Sequence, residues 1–393
     1  MAAPLHADRD RIDHVRKLCF VLTSPFALNA FLRPHLERLS AIHDITVYVG
    51  ADGTQMSPLA SGRVRVVPLA IMREINLWAD LKALFALIHI FRSQRFDLVY
   101  SLTPKAGLLT MLASWLAGVP QRVHCFTGQV WATRKGPGRW FLKGMDRLLV
   151  ACATRVLADS ASQRQYLIGE GIVAAAKIEV LANGSMAGVD ARRFRPDEEA
   201  RRRVRSRFGV DEDACCLLYV GRLKRDKGIP DLVEAFGRLR SRFPNLHLLL
   251  VGPDEDGLEP LVRSVSQIHR VGYTQAVEEY MAAADVFCLP SYREGFGLVL
   301  IEAGAVGLPV VASRIYGISD AVAEGETGLL HLPGNVDDLA RTIEILIEDA
   351  QLRKTLGEAG RRRATGMFDA EIVKAAMAEF VERLLHEQSV RTG

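Results

Sequence analysis

No stretch of this sequence is long and apolar enough to cross a bilayer. The longest uncharged runs, such as residues 106–121, are short and are broken by glycine and proline. Residues 1–17 are polar and charged and lack the apolar centre of a signal peptide, so a cytoplasmic protein is expected. Metal-ligand patterning is missing too. Cys19, Cys125, Cys152, Cys215, Cys216 and Cys288 form no C-x-x-C pair and have no histidines at metal-ligand spacing. Most fall in apolar runs, as buried free thiols do in a reducing compartment. Nor does one charge dominate: 50 Lys and Arg against 46 Asp and Glu leave +4. That balance is too slight to argue for nucleic acid, and no nucleic-acid-binding motif is present. It leaves anionic ligands or an anionic membrane surface as partners. What remains, 49% hydrophobic and 24% charged over 393 residues, is an α/β-patterned globular chain with room for two domains.

The most informative stretch is residues 285–313. Residues 285–290 read as a buried strand, 291–297 as a turn-rich loop with two glycines, 298–307 as a buried helix ended by glycine, and 308–313 as a second strand. Such a βαβ unit holds ligands at the carboxyl end of its first strand, facing the helix amino terminus. Gly295 and Gly297 let backbone N–H groups approach a ligand, and those groups with the helix dipole suit a phosphate. Two carboxylates flank the turn. Glu294 lies in the loop, while Glu302 is about one turn into the helix with its side chain tilted back toward the ligand end. A carboxylate beside a diphosphate would be repelled, so each is expected to face hydroxyls.

A second phosphate-binding pattern precedes it. The strand of residues 217–220 runs into G-R-L-K-R-D-K-G, and a helix of residues 229–240 follows. Gly221 permits the tight turn, Arg222 offers a planar fork of donors, and Lys227 is a compact cation at the helix start. Charge-assisted hydrogen bonds from such groups to phosphate contribute about 1.5–3 kcal/mol each.

With both elements in hand, the sequence resembles the retaining nucleotide-sugar glycosyltransferases of family 4. E-GFGLVLI-E matches their E-x7-E pattern, and G-R-x(4)-K-G matches their diphosphate element. The resemblance implies the GT-B fold, two Rossmann-like α/β domains facing each other across a cleft. It implies that Arg222, Lys227 and Glu294 form the catalytic set, the two cations neutralising the leaving nucleoside diphosphate without a metal or other cofactor. Gly221, Gly295, Phe296, Gly297, Leu298 and Glu302 would hold the donor, Glu302 through the ribose hydroxyls, and Gly272 and Tyr273 would receive the base through backbone groups. Asp254 and Asp256 form a D-x-D, but in a G-P turn after a strand they read as a solvated turn.

The amino-terminal half departs from that family's pattern. Where a glycine-rich turn is usual, after the strand of residues 18–23, the sequence has SPFALN, read as a loop over residues 24–29 leading into a helix. In the loop after residues 96–101, Thr103 and Lys105 are acceptor-side candidates, Lys105 as a solvated loop charge or facing an anionic substrate. After the strand of residues 121–126, Thr127 stands where many members carry a histidine. His124 reads as a strand residue with a satisfied hydrogen bond, and Thr127, Gly128, Gln129 and Arg134 as acceptor-side candidates. Arg134, Lys135, Arg139, Lys143 and Arg147 then interleave with Trp131, Trp140, Phe141 and Leu142, against one acid, Asp146. That pattern suits an anionic lipid surface or a lipid-linked diphosphate, with a solvated helix face as the other reading.

The expected organisation is an acceptor domain over residues 1–188, a nucleotide-sugar domain over 189–368 and a C-terminal helix over 369–393 returning to the first. TPKAGLL and FTGQVWATRKG resemble elements of bacterial surface-polysaccharide enzymes. The resemblance thus implies a UDP-sugar donor, a polyprenyl-diphosphate-linked saccharide acceptor, and work at the inner face of the cytoplasmic membrane as a peripheral protein. A sugar-nucleotide epimerase or phosphorylase, or a non-catalytic nucleotide-sugar-binding protein, would share the fold.

Overall fold

The computed structural model describes residues 15–50, 62–71 and 76–392. The polar segment read as lacking a signal peptide therefore falls, for residues 1–14, outside the described residues. The chain divides into two compact units, one of residues 1–125, 148–155 and 378–393, the other of residues 126–147 and 156–377.

Five parallel strands form the frame of the first unit: β1 (Lys17–Leu22), β2 (Asp44–Val49), β3 (Val64–Pro68), β4 (Leu98–Ser101) and β5 (Gln121–Phe126), in the order β3-β2-β1-β4-β5. Leu18 to Leu22 are fully buried, as the central strand of a parallel sheet covered on both faces must be. Helices Arg33–Leu39, Leu77–Gln94 and Pro104–Leu116 make the crossovers. The end of helix Ala370–Thr392 is tied into the same unit. Its Leu384 carbonyl accepts from Gln121 Nε2 at 3.0 Å, and Glu382 meets His43 Nε2 at 2.7 Å.

One local expectation is corrected here. Residues 24–29, read as a loop, are helical from Pro25 onward. Ser24 caps the turn, its hydroxyl accepting from Phe26 N–H at 3.1 Å, and Pro25 supplies the fixed φ that a first helical position favours. A Ser-Pro pair serves a turn and a helix start equally well, so composition did not separate them.

In the second unit β6 (Arg155–Ala158) pairs in parallel with β7 (Ile178–Val180). A six-stranded parallel sheet follows: β8 (Cys215–Val220), β9 (Leu246–Val251), β10 (Ile268–Val271), β11 (Val286–Leu289), β12 (Val310–Ser313) and β13 (Gly328–His331). Its order is β10-β9-β8-β11-β12-β13. Strand order reverses between β8 and β11, so the loops after these two strands flank a topological switch point, where open α/β sheets bind ligands. Helices Ile229–Arg240 and Leu298–Val306 leave from those loops. The second is buried along most of its length and is bounded by Gly297 (φ 83) and Gly307 (φ 92), left-handed conformations that only glycine adopts freely.

Residues 315–328 hold one helical turn, Ile318–Ala321. Gly317 precedes it at φ 82 and Val322 leaves it extended, so the helix has no room to propagate. All six cysteines are free, five buried and Cys215 partly so.

Candidate functional site

At the end of β8 the chain turns through Gly221, whose φ of 151 takes the backbone past Tyr219, and the Tyr219 hydroxyl donates to the Arg222 carbonyl at 2.9 Å. The Arg222 guanidinium pairs with Glu255 at 2.9 Å, and Lys224 lies 3.5 Å from Glu255 and 3.4 Å from Asp256. Lys227 is half-buried and lies 2.7 Å from Glu294 and 3.4 Å from the Arg293 carbonyl. Gly228 follows at φ 71 and abuts the Pro290 carbonyl so closely that a Cβ would overlap it. That contact locks the start of helix Ile229–Arg240 against the end of β11.

The D-x-D has another use. Asp254 accepts from the Leu258 and Glu259 N–H groups at 3.0 Å each, and Asp256 from Arg225 N–H at 2.8 Å. Both carboxylates are turn caps, and the described residues contain no His, Cys, Asp and Glu cluster able to hold a metal ion.

The loop after β11 is wedged on three sides. Glu294 accepts from the Ser291 hydroxyl at 2.8 Å as well as from Lys227. A Cβ on Gly128 would lie 3.1 Å from the Glu294 carbonyl carbon, and one on Gly295 would lie 3.0 Å from Gly128 N and 3.1 Å from Asp159 Oδ2. A Cβ on Gly317 would overlap the Gly295 carbonyl oxygen. Arg293 clamps the assembly, its guanidinium donating to the Gly128 carbonyl at 2.8 Å and pairing with Asp226 at 3.1 Å. Gly297 then opens the helix with no side chain capping its first-turn N–H groups.

The remaining donor-side candidates divide by what they present. Phe296 is buried and packs edge-on to Phe368 at 5.2 Å, so only its backbone faces the loop. Leu298 is half-buried in the first turn of the helix. Burial pushes the Glu302 carboxyl up to about 7, with the Arg193 guanidinium opposing and Glu278 reinforcing that rise. Arg193 itself pairs with Glu278 at 2.8 Å. Gly272 and Tyr273 lie exposed just past β10, with Tyr273 56% exposed.

Of the acceptor-side candidates, Thr127, Gly128 and Gln129 join this assembly. The Thr127 carbonyl accepts from Gln163 Nε2 at 2.6 Å and Gln129 Nε2 at 2.8 Å. Gln129 is buried and its N–H donates to the Tyr316 hydroxyl at 3.3 Å, so its side chain braces the turn. Arg134 is exposed. Thr103 and Lys105 belong to the other compact unit. Thr103 sits at the N-cap position of helix Pro104–Leu116, receiving the Thr23 hydroxyl at 3.0 Å. Lys105, expected in a loop, is in the first helical turn and pairs with Asp80 at 2.6 Å. His124 is buried, with Ser101 Oγ 2.8 Å from its Nδ1, and burial pushes its pKa down to about 3, so it stays neutral.

The basic and aromatic segment is not one continuous face. Arg139 and Lys143 converge on Glu170 at 2.8 and 2.6 Å, holding its carboxyl below the usual range. Arg147 donates to the Gly171 carbonyl at 2.9 Å. Trp131 is buried, donates to Asp146 at 2.7 Å and stacks on Tyr166, which stacks on Tyr316. Burial raises Asp146 to about 6 against that hydrogen bond. Arg134 and Lys135 stay exposed, with Trp140 at 66% and Phe141 at 61%. No described helix is long and apolar enough to cross a membrane.

Asp159, Arg293, Tyr316, Gln163 and Arg193 were not singled out from the sequence. They come from segments far apart in the chain, and the only advance signal was an acid, Asp159, closing an apolar strand run directly before the capping Ser160.

Comparison with known proteins adds three findings. Residues 31–184 match the family described as "Glycosyl transferase 4-like domain", and residues 200–363 match "Glycosyl transferases group 1". The capsular polysaccharide biosynthesis glycosyltransferase CapM of Staphylococcus aureus is 31% identical over 347 residues, 86% of this chain and 90% of CapM. Among solved structures, sucrose-phosphate synthase of Thermosynechococcus elongatus superposes with a TM-score of 0.80 at 24% identity, covering 95% of this chain and 100% of that one. HepE of Anabaena, solved with UDP and glucose, gives 0.78 at 23% identity, covering 93% and 99%.

Proposed function

The chain belongs to the GT-B glycosyltransferases of family 4, and from that premise we propose that it transfers a hexosyl or N-acetylhexosaminyl group from a UDP-sugar, with retention at the anomeric carbon, to a saccharide carried on polyprenyl diphosphate. The observation that carries this reading is the convergence of Lys227 with the starts of two helices, Ile229–Arg240 and Leu298–Val306, at the switch point of one parallel sheet. A cation beside the side-chain-uncapped start of helix Leu298–Val306 suits a diphosphate, and few other ligands.

In this proposal Arg222 and Lys227 neutralise the leaving UDP as its bond to the anomeric carbon breaks. The acceptor oxygen bonds to that carbon on the same face, and the acceptor proton passes to the departing diphosphate oxygen. Glu294, held by Lys227 and Ser291, faces the hydroxyls of the transferred sugar; Glu302 faces the ribose. Gly221 and the backbone of Gly295, Phe296, Gly297 and Leu298 complete the donor site, and Gly272 and Tyr273 receive the base. Thr127, Gly128 and Arg134 are the acceptor-side residues of this unit. Exposed Trp140 and Phe141, on the same stretch of chain as Arg134 and Lys135, support docking on an anionic membrane surface at the cytoplasmic face.

Thermal-shift titration with UDP, GDP, ADP and their sugar conjugates tests the reading, because a ligand that binds only the folded state raises Tm. Selective stabilisation by UDP and one UDP-sugar is expected; no response to any nucleotide would overturn it.

A further inference from the structure

The carboxyl group of Asp159 sits where β6 ends, and nothing in the proposed reaction uses it. Its Oδ1 is sealed from solvent without a hydrogen-bond partner, while the residue as a whole is only half-buried. An unsatisfied buried carboxylate oxygen is costly and calls for a specific explanation.

The surroundings are built with care. Asp159 N–H donates to Gln163 Oε1 at 2.7 Å, and its carbonyl accepts from Ser185 N–H at 2.8 Å. The next residue, Ser160, donates its hydroxyl to the Gly295 carbonyl at 3.0 Å. A Cβ on Gly295 would lie 3.1 Å from Asp159 Oδ2, so bare glycine backbone separates this carboxyl from the loop carrying Glu294. Burial and the Glu294 charge push the Asp159 carboxyl up to about 7, while the Met186 N–H opposes them. Glu294 has Lys227 and Ser291 as partners; Asp159 forms no ion pair among the described residues.

We infer that Asp159 is a further donor-site carboxylate, which accepts a hydrogen bond from a hydroxyl of the transferred sugar. The inference rests on the donor reading of the Glu294 loop. The carboxyl lies against the Gly295 backbone of the loop proposed to hold the donor sugar. A sugar hydroxyl meeting it there supplies the donor that Oδ1 lacks. A pure fold-stabilising role fits poorly, because an ionised buried acid without a cation weakens the fold it sits in.

The test compares wild type with Asp159→Asn and Asp159→Ala, using UDP, UDP-glucose and UDP-N-acetylglucosamine as probes in isothermal titration. Both variants should bind UDP within about twofold of wild type and bind the preferred UDP-sugar about 10- to 100-fold more weakly. Without ligand, Asp159→Asn should also melt a few degrees higher than wild type at about pH 8, which a structural pin would not do. Equal losses for UDP and UDP-sugar with a lower Tm, or no change for any probe, would overturn the inference while leaving the donor reading intact. A wild type that binds no UDP would overturn both.

Discussion

The Lys227 ammonium and the Glu294 carboxylate lie 2.7 Å apart, joining the loop after β8 to the loop after β11 across the switch point of one sheet. The pair is half-buried, so each charge is dressed for a ligand that competes for Lys227. Glu294→Gln should release Lys227 from its partner and remove an anion beside the proposed diphosphate. UDP affinity should hold or rise while sugar transfer falls by at least about tenfold, read by titration and by UDP release. Loss of UDP affinity in parallel with turnover would contradict the assignment of Glu294 to the sugar.

Arg222 makes the opposite case. Its ion pair with Glu255 is partly exposed, and such pairs contribute about 0–1 kcal/mol to folding. Arg222→Ala should therefore leave Tm nearly unchanged yet weaken UDP binding by about 10-fold or more. A large drop in Tm with unaltered UDP affinity would reduce Arg222 to a structural role.

How much of this was legible beforehand differs between elements. Residues 285–313 could be read because the buried strands and helix there are unbroken apolar runs bounded by glycine, and residues 229–240 because their apolar residues recur at helical spacing after Gly228. The close approach of Gly128, Gly295, Gly317 and Asp159 could not, since it joins four segments distant in sequence and depends on absent side chains. Lys105 was misread because Thr-Pro opens a helix as readily as it makes a turn. Arg139 and Lys143 were read as surface charges; Glu170, outside the pattern that drew attention to them, takes both.

Gly228 offers a test of the loop geometry independent of catalysis. At φ 71, with the Pro290 carbonyl where a Cβ would go, Gly228→Ala should destabilise the fold by about 2–4 kcal/mol in chemical denaturation. A change below about 0.5 kcal/mol would mean that the β8 and β11 loops are not in contact.

The two raised carboxyls set a pH dependence with a defined sign. Glu302 and Asp159 both hold folded pKa values near 7, above their ordinary values of 4.5 and 3.8, so the folded state binds more protons than the unfolded state between about 4 and 7. Their contribution to stability is complete below that window and is lost as pH rises through about 7. For Glu302 the loss is up to about 3 kcal/mol, and Glu302→Gln should flatten that part of the curve. Affinity for UDP should run the other way, strengthening as Glu302 ionises, and Glu302→Ala should lose mainly nucleotide affinity. Identical pH profiles for wild type and Glu302→Gln would contradict this.

Exposed Trp140 and Phe141 carry the membrane proposal. Replacing both with alanine should reduce binding to vesicles containing anionic phospholipid several-fold while leaving Tm and UDP affinity unchanged. Undiminished vesicle binding would remove this stretch from the docking surface.

The central claim is that the switch point of the second sheet holds a nucleoside diphosphate through Lys227. Isothermal titration of UDP into wild type and Lys227→Ala tests it most directly. The account predicts saturable binding to wild type and affinity at least about 10-fold weaker in the variant, because a charge-assisted bond to phosphate is lost. Equal affinity in the two proteins would contradict it.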